Sequence, residues 1–329
     1  MEMTWQQWIE MKKELRRRLS PTGWTLTVYY LIMNAAVILW MIMETVFRLL
    51  WNLPSFGPSD LENIVYDAST SGWGYFLATG IGLLILLLWK RTGFFRYEVF
   101  AKRQSMKAGS FFGILCVFMG CQFVSQMMVS VTEIILNLFG FTIFEGLEML
   151  SVEPDNLSMV LYAGILAPVA EEILFRGLIL RSLMPFGKRF AIFCSAFTFG
   201  IFHGNLVQAP FAFLVGLVLG YVTVEYHVFW AMLLHLINNL VLADLFGRLT
   251  AFLPEMVVNG MFSLMLLAFG IAAIIILCSN RERIRAWRSS EPIYRTYLSC
   301  FFTSAGMIVF MVLMMLTMAY SFAVMITPL

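Results

Sequence analysis

The stretch APVAEEILFRG at 167–177 places two adjacent carboxylates, Glu171 and Glu172, and a guanidinium, Arg176, in an otherwise apolar run. The chain has only 3 histidines, and all of them (His203, His227 and His235) fall between residues 200 and 236. Residues four apart share one face of a helix, which pairs Glu172 with Arg176, Phe199 with His203 in FTFGIFHG, and His235 with Asn239 in HLINN. Glu171 points about 100° away from Glu172. The spacing therefore predicts a structural Glu172–Arg176 ion pair and leaves Glu171 to face a cavity. A carboxylate in a poorly solvated cavity holds protons more tightly and suits a general base. Beside a histidine it can take a proton from water and aim the resulting nucleophile at a carbonyl. A second histidine and a carboxamide can then donate hydrogen bonds to the oxyanion. That set of groups suits hydrolysis of an amide bond. Pro168, three residues before Glu171, weakens the helix there and is expected to free backbone groups near the site.

The elements that must position these groups are membrane helices. Of the 329 residues, 60% are hydrophobic and 13% charged, against about 45–50% and 25% in soluble domains. Runs of around 20 apolar residues cross a bilayer, and nine candidates stand out: 24–50, 73–89, 109–139, 158–182, 190–206, 209–226, 228–247, 256–278 and 299–326. The fifth and sixth are short enough to pack inside the bundle. At about 1.5 Å of rise per residue, Glu171 lies roughly 15 Å from Arg181 and His203 roughly 21 Å from Arg189. Counted from His227, His235 lies at roughly 12 Å and Asn239 at roughly 18 Å. Three spans thus bring these four side chains to one membrane layer, where ionisable groups cost about 2.5–3.5 kcal/mol each and mark function.

The expected fold is all-α, a polytopic bundle of about nine transmembrane helices with its N-terminus cytoplasmic. Of the 22 Lys and Arg, 19 fall on the side that holds the N-terminus, Arg248 alone falls on the other, and Arg48 and Arg176 lie within spans. The loops 51–72 and 140–157 carry only acidic charges. That asymmetry is the positive-inside pattern. The chain divides into a cytoplasmic interfacial amphipathic helix (1–23), three spans (24–157), the segment bearing the polar motifs (158–247) and two closing spans (248–329). The loop NLPSFGPSD at 52–60 reads as a short outside excursion, and RERIRAWR at 281–288 as an anchor beside anionic lipid rather than a nucleic-acid patch. No nucleic-acid partner is expected. His227 reads as an interface residue and Glu44–Arg48 as an i,i+4 pair, while Glu133 has no partner in view. The 5 cysteines and 23 methionines read as apolar filler, with no disulfide framework.

EEILFRG, FGIFH and HLINN, in that order on separate spans, resemble the EExxxR, FxxxH and HxxxN motifs of the CPBP family. That family comprises type II CAAX-processing endopeptidases and bacteriocin-processing relatives. The resemblance covers about 160–245, and Gly216 and Gly220 in GLVLG resemble its small-residue packing helix. It implies that Glu171 activates water with His203 as partner, and that His235 and Asn239 stabilise the oxyanion. Glu172, Arg176 and Phe199 would support them. The implied activity is intramembrane cleavage of a membrane-associated peptide or protein. Glu171, His203 and His235 are chemically able to ligate zinc, but HExxH is absent and Asn239 is a poor ligand. Glutamate-activated water without a cofactor is therefore preferred, zinc being the alternative. A second reading is a non-catalytic scaffold or bacteriocin-immunity protein binding a membrane partner. A proton-coupled transporter is a third, disfavoured because no inverted repeat is visible. Short loops point to a bacterial plasma membrane.

Overall fold

The computed structural model describes residues 4–52, 60–100, 104–144, 146–147, 156–290 and 292–329. The chain is a helical bundle: α1 (Trp5–Asn52), α2 (Asp60–Thr70), α3 (Trp73–Phe94), α4 (Ala108–Asn137), α5 (Leu157–Phe186), α6 (Lys188–Phe202), α7 (Gln208–Glu225), α8 (Val228–Thr250), α9 (Glu255–Ser279), α10 (Arg281–Ser290), α11 (Arg295–Phe302) and α12 (Ala305–Met325). Two short strands, β1 (Phe141–Thr142) and β2 (Thr327–Pro328), pair antiparallel and tie the end of the chain to the segment after α4. Most of the loop at 52–60, the basic residues Lys102 and Arg103, and the acidic residues Glu145, Glu148, Glu153 and Asp155 lie outside the described residues.

Among the described residues, eight helices are long and apolar enough to cross a membrane. The expected fifth crossing is α6, whose 15 residues reach only about 22 Å, short of the roughly 30 Å of hydrocarbon. It is buried along most of its length, as a helix enclosed by others must be when it is apolar on every side. The expected interfacial helix and first span are one continuous helix of 48 residues that carries Pro21 within it. At about 72 Å, α1 is too long to lie wholly in hydrocarbon.

Small residues set the closest helix contacts, as they do where lipid supplies no hydrophobic drive between helices. A Cβ on Gly216 would stand 3.1 Å from Ala196 and one on Gly220 the same distance from Ile192, so α7 lies directly on α6. A Cβ on Gly23 would come within 2.1 Å of the Gly306 carbonyl carbon, where α1 crosses the start of α12. The buried core runs through α5, α6, α7 and α8, with Phe175, Phe190, Phe199 and Leu219 fully enclosed, and it takes in Leu26 of α1 and Phe310 of α12. Large apolar side chains such as Leu88, Leu264, Ile274 and Leu316 point outward. The mean hydropathy of these helices makes their outer face the lipid-facing one.

Candidate active site

The polar groups sit where regular α-helix gives way to wider π turns. Helix α5 widens at Tyr162–Leu166 and again at Glu172–Leu180, and α8 widens at Ile237–Leu245. Such turns bond residue i to i−5 and recur at functional sites. In the first of them Ala167 N–H bonds to Tyr162 O. The next donor in that register would be residue 168, bonding to Ala163 O, but Pro168 has no N–H. The Ala163 carbonyl is taken instead by the side chain of Asn239, whose Nδ2 donates to it at 3.0 Å. The backbone group that Pro168 was expected to free is therefore used to hold a site residue.

Asn239 is the end of a relay that begins on another helix. Gln122 of α4 donates to Asn238 Oδ1 at 2.8 Å, and Asn238 Nδ2 donates to Asn239 Oδ1 at 2.9 Å. With its oxygen and one N–H committed, Asn239 keeps one amide hydrogen for another acceptor. Asn238 and Gln122 escaped the sequence reading. The doubled asparagine of HLINN was a signal, whereas nothing local marked Gln122.

The two glutamates differ in burial and in partners. Glu172 is fully buried, and its Oε1 stands 3.1 Å from Arg176 Nη1, making the i,i+4 ion pair. The same oxygen accepts from His235 Nδ1 at 3.1 Å, so Glu172 serves two helices rather than one. Arg176 also donates to Gly216 O at 3.4 Å and lies 4.1 Å over the Phe199 ring. Glu171 keeps 28% of its side-chain surface open, and its Oε2 stands 3.8 Å from His235 Nε2.

Both histidines have fixed tautomers. His203 Nδ1 contacts Phe199 O at 2.8 Å and His235 Nδ1 contacts Glu172 Oε1. A carbonyl and a carboxylate can only accept, so each Nδ1 carries the hydrogen and each Nε2 presents its lone pair. Between His235 Nε2 and Glu171 Oε2, then, two acceptors face each other unless a proton is held between them. Phe199 orders the set: its ring meets His203 edge-on at 4.8 Å and His235 at 5.8 Å. Tyr29 of α1 and Tyr162 of α5 lie within electrostatic reach of Glu171, and neither was singled out from the sequence.

Among the described residues, no three His, Cys, Asp or Glu side chains converge closely enough to hold a metal ion. His227 caps α8, its Nδ1 accepting from Phe229 N–H at 3.1 Å. Glu133 finds its partners beyond the end of its helix, accepting from Thr142 Oγ1 at 2.6 Å and Ile143 N–H at 2.9 Å. Glu44 and Arg48 pair at 2.7 Å.

Residues 153–241 match the family model of the Rce1-like type II CAAX prenyl endopeptidases. The match spans just over a quarter of the chain and takes in every residue of the candidate site except Gln122 and Tyr29. It agrees with the CPBP resemblance of the three motifs. No curated protein and no solved structure matches the chain significantly. A membrane-type helical bundle carrying an Rce1-like segment supports an integral membrane endopeptidase in general terms.

Proposed function

We propose that this protein is an intramembrane endopeptidase that hydrolyses a peptide bond of a membrane-associated peptide or protein by glutamate-activated water. The observation that carries the reading is the contrast between Glu172, closed off by Arg176 and His235, and its neighbour Glu171, left open against the Nε2 face of His235.

In this mechanism Glu171 takes a proton from water as the water oxygen attacks the scissile carbonyl carbon. The carbonyl π pair moves to oxygen, and the oxyanion accepts from the remaining N–H of Asn239 and from His235 when its Nε2 is protonated. Collapse reforms the carbonyl and expels the amine, which receives the proton held by Glu171. His203 Nε2 is the partner that orients the water. Glu172 anchors the His235 ring through Nδ1, and Phe199 keeps both imidazoles from rotating. Gln122 and Asn238 act on Asn239 as positioning residues.

A eukaryotic member would trim prenylated CAAX tails, whereas in a bacterial membrane the substrate is another membrane-associated peptide or protein. The site's membrane depth fits a lipid-linked or membrane-embedded peptide, and further protein partners belong to the same proposal. We read the bundle as nine crossings with a cytoplasmic N-terminus, α6 being the short one, in a bacterial plasma membrane.

The test is cleavage of a membrane-peptide library by detergent-purified protein, wild type beside Glu171→Ala and His203→Ala, with and without a chelator. Cleavage lost in both variants and retained under chelation is the expected result. Loss on chelation would overturn the metal-free mechanism. Cleavage by Glu171→Ala at the wild-type rate would remove glutamate from it.

A further inference from the structure

Far from the site described above, a concavity of about 590 Å³ lies between the start of α6, the end of α9 and one face of α10. It is lined by Arg189, Arg281, Arg285 and Arg288 over a floor that includes Leu277 and Ile284, and Ser289 completes its lining among the described residues. We propose that this is a binding site for a phosphate-ester anion, filled by the headgroup of an anionic phospholipid or by a free phosphate.

Three observations support a built pocket rather than a generally charged face. Positions 281, 285 and 288 are spaced i, i+4 and i+7, so they share one side of α10, while Arg283 points about 200° away from Arg281. The face of α10 is set by its other side. Trp287 Nε1 donates to Glu225 Oε1 at 2.9 Å, and its ring meets Tyr221 edge-on at 5.4 Å, which docks α10 against the end of α7. The fourth guanidinium comes from a different helix: Arg189 of α6 donates through Nη1 to Arg288 O and so joins the two walls.

The pocket's place fits a lipid. Helix α9 is apolar over 25 residues and stops at Ser279, and the arginines begin two residues later. That is the level at which hydrocarbon gives way to headgroups. Leu277 is exposed beneath the guanidiniums and offers an acyl chain a surface to follow. Guanidinium pairs match phosphate oxygens in geometry as well as charge.

The experiment uses the full chain in nanodiscs of phosphatidylcholine with a trace of spin-labelled phosphatidylglycerol, reading the label's relative association constant. R189Q, R285Q and R288Q are each expected to weaken the association on the order of fivefold, and R283Q to leave it unchanged. Equal losses for R283Q and R285Q would show a diffuse charged face and overturn the proposal. Full association in R189Q would overturn it too, because the α6 wall would then contribute nothing. In a second arm, inorganic phosphate is titrated against chloride at constant ionic strength. Displacement of the label assigns the site to a free phosphate, and retention assigns it to the lipid headgroup. An equal melting temperature for each variant and wild type in neutral lipid confirms that association alone has changed.

Discussion

Helices α4 and α9 and helices α5 and α8 are all apolar and of membrane length, yet they are built differently. The first two are unbroken α-helices that bury few residues, Phe118, Met119, Gly120 and Glu133 on α4 and Leu266, Gly270 and Ala273 on α9. The second two are interrupted by π turns and turn Glu172, Arg176, His235 and Asn238 inward. Irregular backbone at membrane depth is tolerated only where protein or a cavity satisfies it. Here the disturbed turns and the polar side chains satisfy each other, as Ala163 O and Asn239 show. The flanking pair holds the bundle against lipid, while the central pair gives up helical regularity to bring charged groups together. The same contrast recurs between two neighbouring residues, Glu171 and Glu172.

The sharpest way to break the comparison is Glu171→Gln. Losing the general base is expected to cut cleavage by about 10²–10⁴-fold with an unchanged melting temperature in detergent. A loss of stability instead would place Glu171 with its buried neighbour. Next in size is Arg176→Met, which leaves Glu172 buried beside His235 with no cation at its Oε1. A destabilisation of about 3–5 kcal/mol is expected, read by thermal or denaturant unfolding. Adding Glu172→Gln should recover part of it, since the uncompensated charge is then gone.

Pro168→Ala tests the link between backbone and site. An alanine restores an N–H that competes for Ala163 O, so Asn239 loses its anchor. Cleavage should fall by about fivefold, the equivalent of the roughly 1 kcal/mol a hydrogen bond contributes, while the melting temperature holds or rises. A fall in both would mean that Pro168 serves packing alone. The smallest effect is expected on the flanking side, where Ile274→Ala on the lipid face of α9 should change stability by no more than about 0.5 kcal/mol. A larger cost would show that α9 is covered by something other than lipid.

The part of this arrangement that follows from local spacing was legible in the sequence. Glu172 and Arg176 pair because i,i+4 residues meet on any helix, Gly216 and Gly220 take the close contact that their size allows, and the Glu44–Arg48 pair forms for the first reason. Pro168 announced a backbone group without a donor. What escaped depends on the third dimension. Gln122 reaches Asn238 across 116 residues, and Glu133 is satisfied by the turn after its own helix. Glu172 holds His235 as well as Arg176 because two helices close on one oxygen. The π turns were hidden too, since a hydrophobic run reads alike with four or five residues between bonded groups. The short reach of α6 and the continuity of α1 through Pro21 likewise depend on which neighbours enclose them.

The crossing of α1 and α12 at Gly23 and Gly306 bears on how the protein is made. These two helices lie near opposite ends of the sequence, so α1 enters the bilayer long before its partner has been translated. Until then the groove at Gly23 lacks its partner, although Tyr29, near it on the same helix, already meets Gly82 of α3. The close contact between Gly23 and Gly306 would therefore form only after α3 to α11 have been made.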